Sequence, residues 1–123
     1  MSDQVIVIYG EELAKYGFPN RHPFGTDRHD VFMNELNESP NEAYFIRRLS
    51  RLAERDEIER FHTSDYVDRV IELSAIGSGY LDAGDPPAYP GVYEAASHAV
   101  GGTLNALTAI MEGEIPRAFI PIG

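Results

Sequence analysis

The sequence predicts an α/β fold built on a parallel sheet, and three observations predict it. Val5-Ile6-Val7-Ile8-Tyr9 is a continuous β-branched run, not an alternating one, as in a strand covered on both faces. A long helical pattern fills residues 92–112, and the apolar stretch Ala118-Phe119-Ile120-Pro121-Ile122 follows it as a second buried-type strand. Between the two lie further helical segments, and strands separated by helices make a parallel sheet. At most three strands fit, which is thin for a complete doubly wound domain.

Element by element, residues 10–30 are rich in Gly, Pro, Asn and Asp towards their end and read as a loop with at most one helical turn. A helix is expected over Val31 to Asn37, broken by Ser39-Pro40-Asn41. Glu42 to Arg55 is expected to be helical, with Tyr44, Phe45, Leu49 and Leu52 as its apolar stripe and Arg47, Arg48 and Arg51 on the wet side. Glu57 to His62 fits a short strand. Thr63 suits an N-cap, with Asp65 in the first turn of a helix running to about Leu73. Residues 77–91 hold four Gly and three Pro and form a loop. Val92, Ala96, Val100, Leu104, Leu107 and Met111 keep helical spacing through the longest helix, and Gly113 sits where a left-handed cap belongs. Gly101-Gly102, inside that helix, marks a close approach of helix to sheet. Each glycine costs about 1 kcal/mol of helix propensity relative to Ala.

Composition narrows the function classes. The chain has 123 residues, 43% of them hydrophobic, with 7 Tyr and 6 Phe, enough for a real core. Ten basic against twenty acidic residues give a net charge of −10, which argues against nucleic acid or an anionic membrane as partner. With no cysteine there is no disulfide, no thiolate nucleophile and no Cys-based zinc site. No signal peptide or membrane-length apolar stretch is visible. A cytoplasmic protein is the expectation.

Three motifs stand in order: His22-Pro23 with Arg28 five residues on; Phe61-His62-Thr63-Ser64-Asp65-Tyr66-Val67; and Gly84-Asp85-Pro86-Pro87 with Gly91, leading into Tyr93-Glu94-Ala95-Ala96 and Gly101-Gly102-Thr103-Leu104. Together they resemble the N-terminal portion of the histone deacetylase superfamily, including its acetoin-utilisation and acetylpolyamine amidohydrolase branches. The resemblance spans nearly all of residues 1–123. It implies an N-terminal part of an arginase/deacetylase-type fold, a partial three-layer α/β/α domain with a parallel sheet. It also implies a zinc-dependent hydrolase of acetyl-lysine-like or acetylated amine amides.

By that resemblance, Arg28 lines the inner channel behind the active site, where a guanidinium grips a carboxylate product. Asp85 is the rim carboxylate that accepts hydrogen bonds from substrate amides. Read without the family, Arg28 is a loop arginine paired with Asp27 or Asp30, and Asp85 is a turn aspartate. His62 reads as a packing residue. His22, His29 and His98 lack the spacing of a ligand pair, and Asp27-Arg28-His29 reads as a chance match to an Asp-x-His zinc motif. The family's adjacent histidines, zinc ligands and tyrosine come after the strand that ends near Ile122. No cofactor is therefore expected on these residues, and zinc is expected only in the complete domain. The expected partner is the missing C-terminal half, or a copy of the chain paired through the last strand. A polypeptide of these residues is expected to be inactive. The alternative is a stand-alone non-catalytic binding or assembly module.

Overall fold

The computed structural model describes residues 3–19, 21–81 and 86–122. β1 (Val5–Tyr9) is the middle of a three-stranded sheet of order β2-β1-β3. β2 (Phe45–Leu49) pairs parallel along its full length, with Ile6 opposite Ile46 and Ile8 opposite Arg48. β3 (Ala118–Phe119) adds two residues, opposite Ile6 and Val7.

Side chains along β1 alternate between two packed faces, which is why its sequence does not alternate in polarity. Ile6 and Ile8 pack with Leu13 of α1 (Glu11–Ala14) and with Ala106 and Ala109 of α5 (Val92–Met111). Val7 points the other way, onto Met33 and Leu36 of α2 (Arg28–Glu38). The sheet therefore lies between α2 and the α1–α5 layer, a partial three-layer α/β/α arrangement as expected. α4 (Ser64–Ile76) packs outside α5, through Val70 and Leu73 against Val92.

The local signals behave as read in several places. Thr63 Oγ1 accepts the Tyr66 N–H at 3.2 Å to open α4, and Gly113 has φ 77° just beyond α5. At Gly102 a Cβ would stand 2.8 Å from Ile8 Cγ2, and at Gly101 it would collide with the Arg51 carbonyl oxygen. The glycine pair is what lets α5 lie directly on the sheet.

Two stretches differ from the sequence reading. Glu42 to Arg55 is not a helix: a 3-10 turn covers Glu42–Tyr44, and β2 follows. Parallel pairing to β1 outweighs a helical composition, since packing and pairing decide such segments. Ile46 joins the α5 face, Phe45 joins the α2 face, and the supposed stripe residues Leu49 and Leu52 stand exposed. Glu57 to His62 is not a strand either. α3 (Arg55–Ile58) occupies its start, because the Glu54 N–H donates to Glu57 Oε1 at 2.8 Å and closes a helical turn. α2 begins at Arg28, one turn earlier than expected, and β3 is shorter than the apolar run 118–122. No helix among the described residues is long and apolar enough to cross a membrane.

Candidate functional site

α5 runs back along the sheet to deliver β3, so its N-terminus and the loop before it lie at the carboxyl ends of the strands. The loop after β1 and the first turn of α2 lie there too. In open parallel sheets that end is where ligands bind.

The two loops meet around an aromatic cluster. Phe18 is its centre, edge-on to Tyr16 at 5.6 Å, Phe24 at 6.0 Å and Tyr89 at 5.9 Å, with the His22 ring at 4.9 Å. Such edge-on pairs match positive ring edges to negative faces. The backbone closes beneath them. The Phe18 N–H donates to the Phe24 carbonyl at 2.7 Å, and the Phe24 N–H donates to His22 Nδ1 at 3.1 Å. A Cβ on Gly17 would stand 2.7 Å from the Gly25 carbonyl oxygen. Only glycine permits that backbone contact. Burial pushes the phenols of Tyr16 and Tyr89 above their ordinary range.

Arg28 opens α2 at the edge of this cluster. Its guanidinium lies over the Phe24 ring, 4.5 Å from the centroid, and among the described residues no ion pair engages it. The Asp27 or Asp30 pairing considered above does not form, and the charge stands exposed and available. Asp30 instead faces His29. The buried His29 Nε2 accepts the Gly10 N–H at 3.2 Å, so the ring proton sits on Nδ1, 3.0 Å from Asp30 Oδ1. That bond ties the first turn of α2, and Arg28 with it, to the end of β1.

Asp85 lies outside the described residues. Its flanks are fixed: the Leu81 N–H donates to the Pro86 carbonyl at 3.0 Å, and Ala88 N–H to the Gly79 carbonyl at 2.7 Å. Behind the cluster, Tyr16 also walls a cleft of about 200 Å³ between α4 and α5, shared with His62, Tyr66, Tyr93 and Val100. His62 stacks on Tyr66 at 5.2 Å, a packing role. His98 Nδ1 meets Ser50 Oγ at 3.0 Å and joins α5 to the end of β2. Among the described residues no three His, Cys, Asp or Glu side chains converge as a metal site. The described residues therefore do not fit a zinc ion.

Tyr89, Phe18 and Phe24 were not singled out by sequence. The available signal was aromatic residues inside Gly- and Pro-rich loops, where solvated side chains are the rule.

Three parallel strands between helix layers, with two loops meeting at their carboxyl ends, define a layered α/β domain. The family model described as "Histone deacetylase domain" matches residues 22–123, and the chain belongs to that family. The acetoin utilization protein AcuC of Bacillus subtilis is 32% identical over 128 aligned positions, covering 96% of this chain and 32% of that protein. Histone deacetylase 8 of Arabidopsis thaliana is 29% identical over 102 positions, covering 81% of this chain and 27% of that protein. The solved HD domain of HDA15 superposes with a TM-score of 0.81 at 22% identity, covering 96% of this chain and 36% of that one. That last likeness bears on fold alone. The chain spans about a third of the length of the relatives it matches.

Proposed function

We propose that these residues form the substrate-rim and inner-channel half of a zinc-dependent deacetylase domain acting on acetyl-lysine-like or acetylated amine amides. The observation that carries this reading is the meeting of the Arg28 loop and the Asp85-bearing loop at the carboxyl end of the sheet, joined through Tyr89 and Phe18. Asp85 accepts hydrogen bonds from substrate amides, a task for an ionised carboxylate, which only accepts. Arg28 holds the carboxylate product through the paired N–H groups of its guanidinium. The name of the Arabidopsis relative, histone deacetylase 8, supports the reaction class, and a cytoplasmic setting accords with the lack of cysteine.

The remaining half of the domain, supplied in the same chain or by a second one, carries zinc and proton transfer and pairs with the edge of β3 that no strand covers among the described residues. A second reading, a non-catalytic assembly module, draws support from the exposed Phe119 beside that edge. One experiment separates them. The 123-residue polypeptide, given Zn²⁺ and an acetyl-lysine peptide or acetylpolyamine, is expected to leave the amide intact by mass spectrometry. The complete domain is expected to hydrolyse it. Zinc-dependent hydrolysis by the polypeptide alone overturns the division of labour, and an inactive complete domain favours the assembly module.

A further inference from the structure

We propose that the Tyr89 hydroxyl is the positioning group that holds residues 86–91 and the loop leading to Arg28 in one register. The inference rests on the rim-and-channel reading above and adds a residue to it.

Tyr89 lies four positions after Asp85. Its O–H donates to the Lys15 carbonyl at 3.0 Å and its oxygen accepts the Gly17 N–H at 3.3 Å, contacts 74 and 72 residues away in sequence. One hydroxyl thus joins the two loops, and it satisfies a backbone donor and a backbone acceptor that pairing within the first loop leaves over. Burial holds the phenol above its usual range, so the O–H remains a donor at physiological pH.

From Gly17 the path to Arg28 is short and stiff. Gly17 lies against Gly25, the Phe18 N–H is bonded to the Phe24 carbonyl, and the Phe24 ring carries the Arg28 guanidinium. On the other side, Tyr80 and Pro87 form a bridge and Leu81 is bonded to Pro86. These pairs fix the flanking residues 80–81 and 86–87, and Tyr89 follows two positions after Pro87. A substrate gripped by its amides at Asp85 and by its acyl end near Arg28 needs both loops at a set separation. Tyr89 sets it. Its contribution is to binding in ground state and transition state alike, which raises KM when lost and leaves kcat in place.

Tyr89→Phe removes the hydroxyl and keeps the ring on Phe18. In the 123-residue chain, amide hydrogen exchange at Gly17 is expected to accelerate roughly tenfold, with the β1 amides of Val7 and Ile8 unchanged as the control for folding. In the complete domain, KM for an acetyl-lysine peptide is expected to rise roughly three- to tenfold, the size of one net hydrogen bond, with kcat within twofold. Unchanged exchange at Gly17 overturns the proposal, as does a loss confined to kcat or no change in KM. A wild-type complete domain without deacetylase activity instead defeats the rim-and-channel reading. The exchange result then decides the loop linkage by itself.

Discussion

The two outer strands of the sheet end it in opposite ways. β2 is pinned by arginines. Arg47 donates to Asn37 at 2.6 Å and Arg48 grips Glu114 through both terminal nitrogens, at 3.0 and 2.6 Å. Just past the strand, Arg51 holds Glu57 through two 2.8 Å bonds and Asn105 through another. β3 contributes two residues, with Phe119 half-exposed against Phe32 at 5.2 Å. The helix that delivers it ends with Leu107, Ile110 and Met111 exposed. Charges on an edge discourage a further strand, whereas an apolar edge invites one. On this contrast β2 has the character of an outer edge, and we propose that β3 is an inner strand of a larger sheet.

The largest effect is expected where α5 seats against the β2 side. Helix propensity alone says that Gly101→Ala stabilises by about 1 kcal/mol. The new Cβ would collide with the Arg51 carbonyl oxygen and stand 3.0 Å from the Ala53 nitrogen, and neither backbone group can swing aside. Overpacking of this kind costs about 3 kcal/mol, so a net loss is expected in urea titration followed by circular dichroism. A neutral or stabilising result would sink the close approach. A smaller effect, about 1 kcal/mol, is expected for Arg51→Met, which keeps the stem and loses the ion pair and the Asn105 bond.

The same clamp makes a pH prediction. Arg51, and then the Glu54 N–H, hold the Glu57 carboxyl down to about 2. Its folded value lies below the unfolded value of about 4.3. The stabilisation is therefore complete above the unfolded value and disappears as pH falls towards about 2. The gap in Tm between wild type and Glu57→Gln should be constant near neutrality and close across that acid window. A gap that survives at the acid end means that the clamp does not act through the ionised carboxylate.

What the sequence disclosed follows the same division. β1, the Thr63 cap, the glycine pair of α5 and the cap at Gly113 are local signals, each carried by a few adjacent residues, and they were legible. Residues 45–49 were not, because their strand character comes from lying beside Val5–Tyr9, forty positions away. Arg28 and Asp85 came from resemblance to a family, not from periodicity. Tyr89 was invisible for the reason β2 was: its role exists only once Lys15 and Gly17 have been brought to it.

The open edge makes the subtlest test. Met111 is 76% exposed, the most exposed of the apolar residues at the end of α5. In the isolated fold it covers little, so Met111→Lys should change stability by no more than about 0.5 kcal/mol, as surface substitutions do. Its effect should appear in association instead. If β3 and the end of α5 form a surface awaiting the other half of the domain or a second copy, the wild-type chain should self-associate with concentration in sedimentation velocity, and a lysine there should weaken that association. An equal charge change on the β2 side, at the exposed Leu49, should leave association where it was. A wild-type chain that remains monomeric at high concentration, or a lysine that acts equally at both edges, would remove the contrast between a finished edge and an unfinished one.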